Sequence, residues 1–314
     1  MSVQNSGSSM LTTAATSQPA APAKAPRYRD HLALRILRDK RALTGVIILV
    51  IFVVVALAAP LLEPGDPRAS VATGSESPSF AHLLGTTTKG EDVLALLIWG
   101  ARSSLGIGFT VGALATLVGL LIGLTSAYFG RVIDDILSVV TNIFLLIPGL
   151  PLLIILAAFL PPGPGTIVIV LVITGWAGSA RVVRAQALSL RGKDYIDAAV
   201  VTGERPLTIM IREMLPNMAS IVMSTFLACV IFGIGAQAGL EFLGLGDVSA
   251  VSWGTNLFWA SNEGSLIRGT WWTFVPSGAA IALIAFSLAL INYAVDEVTN
   301  PRLAGRTKWK DRRR

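Results

Sequence analysis

Few side chains in this 314-residue chain are of types that could do chemistry. Cys229 is the single cysteine, so neither an intrachain disulfide nor a thiolate metal cluster can form, and it sits in an apolar run as a small hydrophobe. His31 and His82 are the two histidines, and no His-Glu-x-x-His or Gly-x-Ser-x-Gly signature accompanies them. The glycine-rich run "GIGAQAGLEFLGLG" over 233–246 lacks the Gly-Lys-Ser/Thr ending of a phosphate loop, and it follows an apolar run rather than a strand. What remains is one stretch of mixed polarity between apolar runs, "DYIDAAVVTGERPLTIMIREMLPN" over 194–217. Its residue types suit a contact surface: alanines permit close approach, and the charges keep the segment out of lipid.

The elements around it belong to a membrane. The chain is 53% hydrophobic and 14% charged, against about 25% charged in soluble domains. Six stretches approach the roughly 20 apolar residues that a crossing helix needs: 42–62, 103–127, 136–160, 165–180, 218–240 and 274–295. None contains Asp, Glu, Lys, Arg or His. The expected fold is therefore an all-α polytopic membrane protein with six transmembrane helices. Six crossings put both termini and the loops at 128–135 and 181–217 on one side, with twenty-one Lys and Arg against four on the other. The positive-inside rule makes that side cytoplasmic. His31 and His82 then lie on opposite sides and cannot share a metal. The net charge of +6 sits beside apolar runs and lacks aromatic interleaving, which argues against nucleic acid. Residues 1–23 have no basic start and no apolar core, so a disordered tail is expected rather than a signal peptide.

A proton- or ion-coupled carrier needs ionisable groups inside its spans, whereas these spans offer Asn142, Gln237, Asn292 and hydroxyls. Energy for uphill movement would have to enter from another subunit. Asn142, Gln237 and the "IPGLP" kink at Pro148 are the candidate pathway-lining positions, although the prolines equally suit a structural bend. Gly108 with Gly112, Gly119 with Gly123, and Gly235 with Gly239 have the four-residue spacing of close helix approach, in a residue common throughout membrane helices. Within 194–217 a short helix is expected with Tyr195, Ala198, Ala199 and Thr202 on one face. A turn at Gly203 follows, then a second helix begun by Pro206 that stops or bends before Pro216. The segment is either a connector or a docking surface. Trp253, Trp259, Trp271 and Trp272 between the last two spans suit an aromatic belt at the membrane surface or, for Trp253 and Trp259, the docking of an external protein.

Four blocks carry a resemblance over some 275 residues. Asp197-Ala198-Ala199, then Gly203, then "EMLPN" resembles the cytoplasmic "EAA" loop of ABC importer permeases. "HLLGTTTKGEDVLALLIWGARSSLGIG" (82–108), "LEFLGLGDVSAVSWG" (240–254) and "NPRL" (300–303) are similar to blocks of the dipeptide/oligopeptide/nickel permease family. The basic stretch and first span, 27–62, resemble the second (C-type) permease of such systems. The chain departs from the pattern at Asp197, where Glu is usual, at Glu213, where His is common, and at "INYAVDEVTNPRL" before its end.

The resemblance implies a type I ABC importer transmembrane fold in a bacterial-type plasma membrane. It also implies a second homologous permease, two ABC ATPases that hold ATP and magnesium, and an external solute-binding protein. The chain itself would hold no cofactor. Tyr195, Asp197, Ala198, Ala199, Gly203 and Pro216 would couple ATPase closure to alternating access. The solute would be a peptide, with oligosaccharide or nickel as alternatives; an ATP-independent transporter or a structural subunit is the rival class. The domain plan reads as a tail (1–26), a basic segment and first span (27–62), an external loop (63–101), a five-span core (102–298) with its coupling loop (181–217), and a basic tail (299–314).

Overall fold

The computed structural model describes residues 39–299. The N-terminal tail, most of the basic stretch before the first span, and the C-terminal tail with "NPRL" lie outside the described residues. The helices in chain order are α1 (Lys40–Leu62), α2 (Val93–Phe129), α3 (Arg131–Leu146), α4 (Gly149–Phe159), α5 (Pro164–Arg191) and α6 (Asp194–Val201). Then come α7 (Pro206–Thr208), a π-helical stretch Ile209–Met214, α8 (Leu215–Asn217), α9 (Ala219–Phe242), α10 (Trp253–Asn262), α11 (Ser265–Arg268), a 3-10 turn Trp271–Thr273 and α12 (Val275–Thr299). Five of these helices, α1, α2, α5, α9 and α12, are long and apolar enough to cross a membrane. In lipid each backbone amide must be satisfied within its own segment, which is why the apolar runs are helices.

The sixth expected crossing, 136–160, is a bent pair. α3 and α4 meet at 87°. Pro148 explains the break: it pushes Ile147 into an extended conformation (φ −70°, ψ 127°) and lacks the N–H that would continue α3. At 16 and 11 residues, the two helices are about 24 and 16 Å long, each short of the roughly 30 Å apolar thickness of a bilayer. Two other helices outrun their apolar stretches. α2 has 37 residues and α5 has 28, because Arg102, Arg181 and Arg184 end the apolar runs without ending the helices. Charge marks where lipid stops; capping marks where the helix does. At the start of α2, Asp92 accepts from the amides of Leu94 (2.7 Å) and Ala95 (3.3 Å).

α2 is the central post. Its glycines let two neighbours reach the backbone. A Cβ on Gly108 would overlap Ile234 and one on Gly112 would overlap Val230, both on α9. On α5, a Cβ at Gly119 would overlap Ser179, and one at Gly123 would sit 2.8 Å from the Ala180 carbonyl oxygen and 2.9 Å from the Arg184 nitrogen. Gly235 and Gly239 share the spacing and do not pack this way, since nothing lies within 4 Å of a Cβ on either. α1 and α12 pair at the edge, where the Ser287 hydroxyl donates to the Gly45 carbonyl (2.6 Å).

The loop from 63 to 92 folds back on the 243–274 connection. Arg68 Nε donates to the Ser249 carbonyl (2.9 Å), Arg68 Nη2 to the Ala250 carbonyl (2.8 Å), and Trp272 Nε1 to the Thr86 carbonyl (3.2 Å). His82 Nδ1 lies 2.7 Å from Asp92 Oδ2, tying this loop to the α2 N-cap.

Replacing Gly119 with Leu is expected to destabilise the bundle by about 1–3 kcal/mol, the range for overpacking a filled site. Gly235→Leu, in open space, is expected to change stability by less than about 0.5 kcal/mol. Thermal unfolding of the two variants in detergent checks this, and equal midpoints would contradict the packing described.

Candidate functional site

The 194–217 segment is a helical hairpin clipped to one end of the bundle. Gly192 and Lys193 break α5 from α6, and Gly203 ends α6 with φ +80°. The amide of Gly203 donates to the Val200 carbonyl (3.1 Å) and that of Glu204 to the Ala199 carbonyl (3.1 Å), the paired bonds of a Schellman turn. The hairpin is held by apolar side chains. Ile196, Ile209, Met214 and Met218 are fully buried and Met210 nearly so, against Leu124 and Ala127 of α2 and Val183 and Ala187 of α5.

The structure corrects one expectation. The second helix does not stop or bend before Pro216, which lies inside the helical turn Leu215–Asn217. The preceding stretch switches to π geometry, with the Leu215 amide donating to the Met210 carbonyl. In α geometry the Pro216 ring would clash with the Arg212 carbonyl; the wider π turn makes room. The break comes two residues after the proline, at Met218 (φ −119°, ψ 16°).

The expected contact face points outward. Tyr195, Asp197, Ala198, Thr202, Gly203 and Pro216 are exposed, and Ala199 is half-buried at the margin of the methionine-lined bed. Beside them Val201 is 87% exposed, Leu207 63% and Ile211 52%. These apolar groups lie on a charged hairpin outside the apolar runs, where lipid does not account for them. Arg191 Nη1 donates to Asp197 Oδ1 (3.2 Å), and its guanidinium lies over the Tyr128 ring at 5.5 Å. Partial desolvation against the bundle, and then the neighbouring Glu213 carboxylate, push the Tyr195 phenol further above an ordinary value that already leaves it neutral at physiological pH. Sequence reasoning missed Ile196, although Ile196, Ala199 and Val200 form an i, i+3, i+4 apolar set.

The remaining candidates are scattered. Trp253 is fully buried. Its Nε1 donates to the Leu97 carbonyl (3.1 Å), its amide to Ser104 Oγ (3.1 Å), and Phe52 meets it edge-on at 5.7 Å. It is a core residue of α10 and cannot meet an external partner. Trp259 is half-buried, with Lys89 Nζ 3.3 Å above its ring. Gln237 is fully buried and donates to Glu241 Oε1 (3.0 Å); Ser252 Oγ donates to the other carboxylate oxygen. Gln237 therefore braces Glu241 within α9, and Glu241 holds α9 to the α10 N-terminus through Ser252. Pro148 is exposed at the elbow, and Asn142 accepts from Arg181 Nη2 (2.8 Å). An open groove of about 570 Å³ lies between α5, α9 and α12, lined by Thr174, Gly178, Ser224, Thr225, Cys229 and Asn292 among others. Of the three pathway candidates, none lines it.

A polytopic helical bundle with an anchored, outward-facing hairpin is the class of an importer's transmembrane subunit, and comparison with known proteins specifies it. Residues 115–305 match the family described as the binding-protein-dependent transport system inner membrane component, and residues 31–78 match the N-terminal transmembrane domain of oligopeptide transport permease C. The chain belongs to this family of inner-membrane ABC importer permeases, as a C-type member. It is 34% identical over 273 residues to a candidate peptide transport system permease protein of Brucella abortus, covering 86% of this chain and 91% of the relative. It is 30% identical over 280 residues to the dipeptide transport system permease protein DppC of Bacillus subtilis, covering 88% and 86%. A chain of the MetNI methionine ABC transporter, in an inward-facing crystal form, shares the fold with TM-score 0.52 at 21% identity, covering 65% of this chain and 94% of that one.

Ile196→Ala is expected to remove about 2–5 kcal/mol of packing under the hairpin. Amide exchange over 194–217 should accelerate in this variant while the spans keep their protection, whereas Val201→Ala, at an exposed position, should leave exchange unaltered. Equal exchange in the two variants would show that the hairpin is not anchored through Ile196.

Proposed function

We propose that this chain is one of two permease subunits of an ATP-driven, binding-protein-dependent importer of peptides. In this reading both termini and the 194–217 hairpin face the cytoplasm. The reading is carried by one observation: a hairpin fixed from below by Ile196, Ile209 and Met214 presents Tyr195, Ala198, Val201, Leu207 and Ile211 to the outside. Such a surface suits a groove on a partner ATPase. The family membership supports the partners: a second permease, two ATPases holding ATP and magnesium, and an external solute-binding protein. The relatives named for dipeptides and oligopeptides support the solute class.

In mechanism, ATP-driven closure of the ATPases pushes on the hairpin, and the hairpin passes the displacement to α2 and α5 through the methionine-lined bed. Ala198 and Ala199 set a close approach, Gly203 makes the turn, and Asp197 pairs with a basic group, Arg191 in the free chain. Pro216 with its π turn fixes the return into α9. On the route itself, the groove between α5, α9 and α12 offers hydroxyl and amide groups that can exchange hydrogen bonds with a peptide backbone. On the external side Trp259, half-buried beside Lys89, remains a docking position for the binding protein.

The experiment is ATP-driven uptake of labelled oligoalanine peptides by the complete importer in proteoliposomes. Gly203→Val places a β-branched residue at φ +80°, a strain of at least about 1–2 kcal/mol that distorts the turn. Insertion should persist and uptake should be lost; uptake at the normal rate would overturn the coupling assignment. Gly178→Trp fills the groove from a position with nothing within 4 Å of a Cβ. It should lower uptake at least about tenfold while ATP hydrolysis continues, the signature of an obstructed solute step.

A further inference from the structure

Beneath the hairpin, three helices converge on one carboxylate. Asp134 stands in the first turn of α3. Arg184, on the last turns of α5, grips it with two parallel bonds, Nε to Oδ1 at 2.6 Å and Nη2 to Oδ2 at 2.7 Å. Ser126 near the end of α2 donates its hydroxyl to the same carboxylate and lies 3.2 Å from Arg184 Nε; Ser138, one turn along α3, adds a bond at 3.3 Å. The carboxylate is 18% exposed and the guanidinium 36%. Elsewhere, Arg191 pairs with Asp197 in the hairpin region, while Arg68 with Glu91, His82 with Asp92 and Lys89 with Glu263 belong to the 63–92 loop and its partners.

Three features around this cluster decide what it does. α2 and α3 are joined through Gly130 alone, and both Gly130 (φ 60°) and Arg131 (φ 48°) are left-handed, so the corner is tight. Eight residues further along α3, Asn142 accepts from Arg181 (2.8 Å), a second rung to α5. Beyond that rung α3 ends at the 87° elbow with α4, where Pro148 removes the backbone bond that would stiffen it. α3 is thus tied to α5 at two points eight residues apart, and its far end turns into α4, whose Leu153 and Ala157 pack against α5.

We propose that the Arg184–Asp134–Ser126 cluster is a positioning clamp that makes α3 move as one body with α5, so that displacement of the hairpin is delivered to the α3–α4 elbow. α5 runs from this clamp to Arg191, whose guanidinium bonds Asp197 of the hairpin, so clamp and hairpin are tied to one rod. A bidentate pair suits the task, because it fixes orientation as well as distance. The inference rests on the ATP-driven reading above.

The test uses the complete importer in proteoliposomes, measuring oligoalanine taken up per ATP hydrolysed. Arg184→Ala and Asp134→Ala should each leave the four-subunit complex intact on size exclusion and ATP hydrolysis running, yet lower the ratio about tenfold, within the span of allosteric couplings. The double variant should lose no more than either single one, because both remove the same interaction. An unaltered ratio in the single variants, or losses that multiply in the double, overturns the clamp. Should the alanine variants fail to assemble, Arg184→Lys keeps the charge and gives up the second bond; an intermediate ratio supports the clamp and a wild-type ratio overturns it. Absence of ATP-driven uptake in the wild-type complex would instead overturn the parent reading, and the clamp with it.

Discussion

The close approach of α5 and α9 to α2 is the constraint on which the rest depends. Between helices in lipid there is little hydrophobic gain, so association relies on van der Waals fit and interhelical hydrogen bonds. Gly108, Gly112, Gly119 and Gly123 supply that fit by leaving no side chain between the backbones. Because Gly123 lets the Arg184 backbone nitrogen within 2.9 Å of where a Cβ would stand, the Arg184 side chain starts near enough to reach Asp134 and Ser126. The same approach brings Val183 and Ala187 beside Leu124 and Ala127, which form the floor under the hairpin. Packing in the spans and placement of the site are one geometric fact.

The two ends of the bundle are built from different materials. At one end Arg68 and Trp272 stitch the 63–92 loop to the connection between α9 and α12, Glu91 pairs with Arg68 within the loop, and Asn256 bonds the Leu96 carbonyl of α2. Gln237, Glu241 and Ser252 extend that network into the interior. At the other end the hairpin rests on Ile196, Ile209 and three methionines, with polar ties from Arg181, Arg184 and Arg191 beside them. Hydrogen-bond networks hold a single arrangement, while apolar beds tolerate sliding.

Much of this was legible in sequence, for identifiable reasons. The number of apolar runs, the hairpin with its turn at Gly203 and the outward face of Tyr195 and Ala198 all follow from local patterns, and local patterns are what a sequence displays. Gly108, Gly112, Gly119 and Gly123 were legible as packing positions, but Gly235 and Gly239 carry the same spacing and pack against nothing in this chain. Spacing says that approach is permitted, and tertiary structure decides whether anything approaches. Trp253 and Gln237 were misplaced for a related reason: Leu97 and Ser104 meet Trp253, and Ser252 meets the Glu241 carboxylate that Gln237 braces, only once α10 folds back on α2 and α9. Pro148 signalled a kink, yet its size depended on two helices too short to be one rod. The Arg184–Asp134 pair lay fifty residues apart in sequence, with no periodicity to join them.

Met210, Met214 and Met218 under the hairpin have a mechanical consequence. Methionine is unbranched, with three rotatable bonds and a polarizable sulfur, and fills changing gaps at small energetic cost. Under the proposed coupling role, a joint bedded on such side chains would act as a compliant bearing, letting the hairpin rock through small angles while its underside stays sealed. In the proposed ATP-driven cycle, the stroke would be bounded by how far these three thioethers can refill the space that the hairpin vacates.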